Sequence, residues 1–190
     1  MNTRIMQALS VITLFGMVGL FPGRMHATQS GDPVSDGPGI RPGIAASEGE
    51  LTTAVQARLS RGEAFQSRLR YAEAEREYRI AAATARRQGH LPSLAMWRLA
   101  NAHYHAGQHS QAALVLDQLA AEAARVGDLG VEALALFNAA WVDGQAGRGR
   151  QAGVRVAQLR RLMESPYMPS AIRRHLGARL DSLSDLAVER

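Results

Sequence analysis

A three-residue apolar stripe recurs three times along the chain, and this recurrence most constrains the fold. Ala74, Tyr78 and Ala81 form the first copy. Ala112, Leu116 and Leu119 form the second, and Ala152, Val156 and Leu159 the third. The +4, +7 spacing puts each set on one face of a helix. The copies begin at positions 74, 112 and 152, a period of about 38 to about 40 residues. A small residue stands 12 positions before each copy, at Gly62, Ala100 and Ala140. Small residues there let a second, antiparallel helix approach closely. Glycines keep the same beat: Gly107 and Gly147 are 40 apart, Gly89 and Gly127 38 apart. Self-similarity at such a period marks stacked supersecondary units, none of which can bury its apolar face alone. A non-repeating helical bundle is the alternative against which the period argues.

Composition supports helices throughout. Of the 190 residues 33 are Ala, and all 22 basic residues are Arg. Aromatics make up 5% and there is no Cys. Ala, Leu, Arg, Glu and Gln favour helix, and the scarcity of aromatic and β-branched residues argues against a β-sandwich or barrel. Without Cys there is no disulfide framework, zinc-thiolate site, Cys nucleophile or lipidated N-terminal Cys. The punctuation predicts seven helices, near 51–68, 71–88, 92–106, 110–126, 129–146, 150–164 and 169–187. Gly89, Gly107, Gly127 and Gly147 suit left-handed helix ends. Asp128 and Ser110 suit N-caps, and Pro92 and Pro169 suit first turns.

The segment Leu99-Ala100-Asn101-Ala102-His103-Tyr104-His105-Ala106-Gly107-Gln108-His109-Ser110-Gln111-Ala112 resembles the tetratricopeptide repeat family. It is similar to that family's small-Asn-Ala-aromatic-aromatic, Gly-Gln-aromatic, Ala signature. Gly62, Phe65, Tyr71, Ala74, Tyr78 and Ala81 resemble it in the first repeat. The third is weaker: Ala140, Gly147, Ala152 and Leu159, with Asp143 where an aromatic is usual. The period exceeds the family's usual one of about 34 residues, which implies longer helices or turns. The usual Pro after the second helix is missing from the first two repeats; Pro166 stands there in the third. The resemblance covers about residues 55–165. It implies an all-α fold, a right-handed α-solenoid of three antiparallel helix hairpins plus a C-terminal capping helix, within a domain spanning 50–190. The final helix offers Ile172, Leu176, Leu180, Leu183 and Leu186 as its apolar face, with Arg173, Arg174, Arg179, Asp181 and Asp185 toward water.

The N-terminus reads as an address. Arg4 precedes an apolar run from Ile5 to Phe21, Pro22 and Gly23 break it, and Met25-His26-Ala27 offers a cleavage site. Residues 1–27 are thus expected to be a secretory signal peptide; an uncleaved anchor is the alternative, the run being at the short end of what crosses a bilayer. Residues 28–49, rich in Gly, Pro and Ser, read as a flexible linker. Export implies the periplasm or secretion, or a membrane-anchored chain facing the periplasm. Loss of Arg4 and Arg24 takes the formal charge from +5 to +3.

In the tetratricopeptide family the first helix of each repeat lines a concave face, which implies a partner-binding set here. The first repeat places Leu59, Glu63 and Gln66 there, the second Trp97, Asn101, Tyr104 and His105, the third Phe137, Trp141 and Gln145. The set would form an aromatic-lined groove for a peptide or protein, with the Asn101 amide able to donate to and accept from a peptide backbone. Core packing is the other role open to Trp97, Phe137 and Trp141. His103, His105 and His109 read as packing substitutes rather than metal ligands, because Gly107 interrupts the helix and no acid adjoins them. Neither a phosphate loop, Gly-x-Ser-x-Gly nor His-Glu-x-x-His occurs. Glu73, Glu75 and Glu77 read as a solvated face paired with nearby arginines. Arg148, Arg150, Arg155, Arg160 and Arg161 give the third repeat a basic face, solvated or turned to anionic lipid or an acidic partner. No basic stripe interleaved with aromatics points to nucleic acid. The expectation is a non-enzymatic protein-binding scaffold of a bacterial envelope, without cofactor or metal; the alternative is a membrane-anchored structural spacer.

Overall fold

The computed structural model describes residues 43–188, with side chains over 53–183. The chain separates into two units, Met1–Glu50 and Leu51–Arg190, and the repeats belong to the second. The expected signal or anchor and the linker up to residue 42 lie outside the described residues. Among the described residues there are seven helices and no strand. They are α1 (Gly43–Gln66), α2 (Tyr71–Arg87), α3 (Ser93–His105), α4 (His109–Val126), α5 (Leu129–Gln145), α6 (Gly149–Met163) and α7 (Ser170–Val188). The first begins inside the segment read as linker.

The helices form hairpins, α1 with α2, α3 with α4 and α5 with α6, and successive hairpins pack in chain order. The last helix packs on both α5 and α6, burying Ile172, Leu176 and Leu183. Leu180 is half-buried, and the side chains of Asp185 and Leu186 are outside the described set. All nine residues of the three recurrent stripes are buried. Gly62 permits a close approach: a Cβ there would lie 2.3 Å from Tyr78 Cε1. Equivalent positions trade volume, Gly62 with Tyr78, Ala100 with Leu116, Ala140 with Val156.

One turn is used five times. Gly89, Gly107, Gly127 and Gly147 have φ of 77°, 75°, 75° and 72°. After each, the next residue's N–H reaches back to the carbonyl five positions earlier: His90 to Ala85, Gln108 to His103, Asp128 to Ala123 and Arg148 to Asp143. These are left-handed helix caps that satisfy carbonyls a helix end would leave unpaired. The first hairpin repeats the bond, Arg70 N–H to Phe65 O at 3.0 Å, yet carries Leu69 at φ 59°. Leu69 stands one repeat before Gly107, so the backbone pattern persists where its glycine is lost. Asp128 caps α5, accepting from Val131 N–H at 3.0 Å. Ser110 differs from expectation. The helix starts at His109, and Ser110 Oγ instead accepts from Arg148 Nη1 at 3.0 Å. Pro92 is the residue before α3 rather than its first turn.

Candidate partner-binding face

The first helices bring the expected residues into two groups with different burial. Leu59, Trp97 and Phe137 are buried, Trp97 at 5% and Phe137 at 4% exposure. Of the two roles open to these aromatics, packing is the one their burial fits. Trp141 differs, being half-buried. Tyr104 is half-buried too, and its ring centroid lies 5.4 Å from that of Trp141.

Around Tyr104 the turn ends of the hairpins build a row of rings. His109 stacks on Tyr104 at 5.0 Å. His105 meets the Tyr104 ring edge-on at 5.7 Å and stacks with Tyr71 at 6.3 Å. Three hairpins contribute: Tyr71 from the first, Tyr104, His105 and His109 from the second, Trp141 from the third. Aromatic pairs at such separations attract beyond their buried area. Burial raises the Tyr104 hydroxyl's pKa and lowers that of the His105 imidazole. Both shifts favour the neutral forms of these two rings near pH 7, as an apolar contact surface requires. His105 and His109 are thus ring partners of Tyr104, and Tyr71 joins a face to which sequence reasoning had not assigned it. Its signal was its position at the start of a second helix, one repeat before His109.

Beside the row is a short polar chain. Gln66 Nε2 donates to Asn101 Oδ1 at 2.5 Å, and the Tyr78 hydroxyl donates to Gln66 Oε1 at 3.1 Å. Burial pushes the Tyr78 hydroxyl up to about 12, ahead of the opposing effect of Arg98. Half of the Asn101 amide is therefore engaged inside the protein, and its oxygen is not a ready acceptor for a peptide. Glu63 is exposed and paired with Arg98 at 3.0 Å. Gln145 is half-buried.

The intra-hairpin turns carry a contact that the sequence pattern did not reveal. In each hairpin a first-helix residue meets the residue five positions later. Arg70 lies over the Phe65 ring, 4.8 Å from its centroid. His103 Nδ1 faces Gln108 Oε1 at 2.6 Å. Arg148 Nε donates to Asp143 Oδ1 at 2.8 Å. The third version is part of a network. Asp143, 1% exposed, also accepts from Arg155 Nη1, while Arg155 holds Asp117 through two bonds at 2.8 and 2.5 Å. Hydrogen bonding to Asp117 is the main cause of a raised Arg155 pKa. The basic face is correspondingly reduced, since Arg148 and Arg155 turn inward to carboxylates. The glutamates pair as expected in part. Glu73 meets Arg70 and Glu75 meets Arg79, both at 2.7 Å, whereas Glu77 pairs across the hairpin with Arg58 and Arg61.

These features define the class: an all-α protein of helix hairpins packed in series and closed by a last helix. No family model matches the sequence, and neither a curated protein nor a solved structure matches it.

Proposed function

We propose that the chain is a non-catalytic protein-binding module of the tetratricopeptide kind, a right-handed solenoid exported to a bacterial envelope. It would present the aromatic row to a peptide or protein segment. The single observation that supports this most is the row itself, five rings drawn from three hairpins. Rigid hairpins preform the surface, so little ordering entropy is lost on binding. The recognised chemistry is an apolar or aromatic side chain against Tyr104, His105 and Trp141, with Glu63, Gln66 and Gln145 as polar surroundings. Trp97 and Phe137 are buried and belong to the core of the same helices.

Residues 1–27 would carry the export signal. The apolar run from Ile5 to Phe21 also supports a second reading, a membrane-anchored spacer. Among the described residues no helix is long and apolar enough to cross a membrane, so the choice rests on that run. N-terminal sequencing and fractionation separate the two. A mature start at Thr28 in the soluble fraction supports export; a start at Met1 in a salt-resistant pellet supports the anchor.

The binding face is tested by comparing Trp141→Ala with Trp97→Ala. Affinity capture from the native envelope with the full chain identifies the partner. Trp141→Ala is expected to lose that partner while the melting temperature changes little. Trp97→Ala is expected to cost stability, on the order of 3–5 kcal/mol. Retained capture by Trp141→Ala would count against the row as the contact surface.

A further inference from the structure

The two seams between successive hairpins are built from equivalent positions and finished differently. At the first, Arg86 of α2 reaches Glu122 of α4, Nη2 to Oε1 at 2.7 Å and Nε to both oxygens at 3.2 and 3.1 Å. The same guanidinium covers Met96 of α3, with Nη2 3.1 Å from Sδ. One arginine thus ties the two second helices together and closes the floor between them. The repeat spacing carries Arg86 to Ala124, Glu122 to Leu162 and Met96 to Leu136. The second seam therefore lacks both members of the ion pair.

In their place is a groove of about 810 Å³ bordered by Ala124, Leu136, Val154 and Leu162. Val154 is 57% exposed. Its lining carries two carboxylates, Asp117 and Glu132, and two guanidiniums, Arg155 and Arg161, and they differ in burial: Glu132 is half-buried. Asp117 and Arg155 satisfy each other, and Arg161 is exposed. Glu132, one helical turn before Leu136, has no ion-pair partner among the described residues. Burial raises its carboxyl pKa from the ordinary value. A partly desolvated carboxylate is stabilised by any cation that reaches it. The groove follows α6 from Gln151 to Leu162, with α4 and α5 forming the rest of its lining; at the helical rise this is about 16 Å, enough for two to three turns of a docked helix.

We infer that this groove docks a helical segment of another protein that carries an aliphatic side chain and, one turn away, an Arg or Lys. The aliphatic side chain lies over Leu136 and Leu162, and the cation pairs with Glu132. Together they supply the cover and the charge that Arg86 supplies at the first seam. Helix-in-groove docking uses this pairing of apolar anchors with rim charges. The groove shares no residue with the aromatic row, so this second surface does not depend on the reading of the first.

The test is a displayed library of random helical peptides, long enough for about four turns, selected on the full chain. Ala124→Arg with Leu162→Glu rebuilds the first seam's ion pair at the second and serves for counter-selection. Enriched peptides are expected to carry Arg or Lys one helical turn from Leu, Ile or Met. By fluorescence anisotropy they should bind the double variant at least tenfold more weakly, while its melting temperature is unchanged or higher. Glu132→Gln, which leaves the floor intact, should weaken them about three- to tenfold. No enrichment, enrichment of acidic peptides, or equal binding to the double variant would overturn the inference. So would self-association of the wild type that the double variant abolishes, because the occupant would then be a second copy. Loss of peptide binding in Trp141→Ala alone would move the contact to the aromatic row and also overturn it.

Discussion

The first and third hairpins share a backbone and give its tasks to different side chains. In the first, Phe65 meets Arg70 through the ring face, Leu69 takes the left-handed position, and Gly62 makes room for Tyr78. In the third, Asp143 meets Arg148 through an ion pair, Gly147 takes the left-handed position, and Ala140 and the smaller Val156 occupy the places of Gly62 and Tyr78. The second stands between them, with His103 and Gln108, Gly107, and Ala100 with Leu116. The repeat determines where a contact falls, and the local sequence determines what kind of contact it is. Steric fit and backbone strain distinguish the first hairpin; buried charge distinguishes the third.

The largest expected effect tests that buried charge. Asp143 is buried and carries both Arg148 and Arg155. Asp143→Ala removes their shared counter-ion, and breaking a buried pair in this way costs about 3–5 kcal/mol. Urea unfolding should show this loss, and it should persist at high salt, because screening acts weakly on buried pairs. Phe65→Ala, at the equivalent but half-buried position, should cost less. A loss under about 1 kcal/mol for Asp143→Ala, the range of exposed pairs, would mean that the two hairpins do not differ in this way.

Next comes the steric side of the comparison. Gly62→Ala places a Cβ against the Tyr78 ring, and overpacking of this kind costs about 1–3 kcal/mol. Gly62→Ala with Tyr78→Leu copies the Ala100 and Leu116 pair of the second hairpin. The double variant should be less destabilised than the sum of the singles by more than about 0.5 kcal/mol, the usual limit of additivity. Additive losses would show that helix approach is not what glycine provides there.

Much of this architecture was legible because it is periodic. The stripes at Ala74, Ala112 and Ala152 specify which helix faces are buried, and the glycines specify where helices stop. The first turn was legible only in part, since Leu69 hides a left-handed position that glycine marks elsewhere. The aromatic row could be read where it sits on first helices, as Tyr104 and Trp141 do. Tyr71 and His109 join it from second helices, and a rule of one helix per face misses them. Trp97 and Phe137 carry the same spacing signal as Trp141, yet one is a core residue of α3 and the other of α5. Spacing assigns a residue to a face, whereas burial depends on what the neighbouring hairpin lays over it. The network of Asp117, Asp143 and Arg155 spans three helices, so no single helical pattern contains it.

A smaller effect tests the turn. Leu69 holds φ 59° and is 72% exposed, so it bears the left-handed penalty without burial to offset it. That penalty is about 1–2 kcal/mol for a residue with a Cβ, against about 0.5–1 kcal/mol of extra chain entropy for glycine. Leu69→Gly should therefore stabilise by up to about 1 kcal/mol. Gly107→Ala should destabilise by a similar amount, since its Cβ would meet nothing within 4 Å and only the backbone objects. Paired thermal melts measure both. Destabilisation by Leu69→Gly would show that the leucine makes a contact its exposure does not suggest.

The smallest effect separates the second hairpin from the third at His105, whose equivalent is Gln145. Tyr71 and Tyr104 flank the imidazole, and burial lowers its pKa from 6.5. A base with a lowered folded pKa gives up its proton more readily in the fold than in the unfolded chain. Below about 6.5, the ordinary imidazole value, the unfolded chain binds more protons, so stability falls as pH drops through that range. Above it the contribution is fully present. His105→Gln installs the third hairpin's side chain and should remove part of the stability lost between pH 7.5 and 5. Some slope should remain from His175, whose pKa is lowered by burial and then by Arg179. Urea titrations of both proteins at the two pH values measure the change. An unaltered slope in His105→Gln would mean that the ring is as well solvated in the fold as in the unfolded chain. The row would then be a set of wetted rings, and its suitability for an apolar partner would rest on Tyr104 and Trp141 alone.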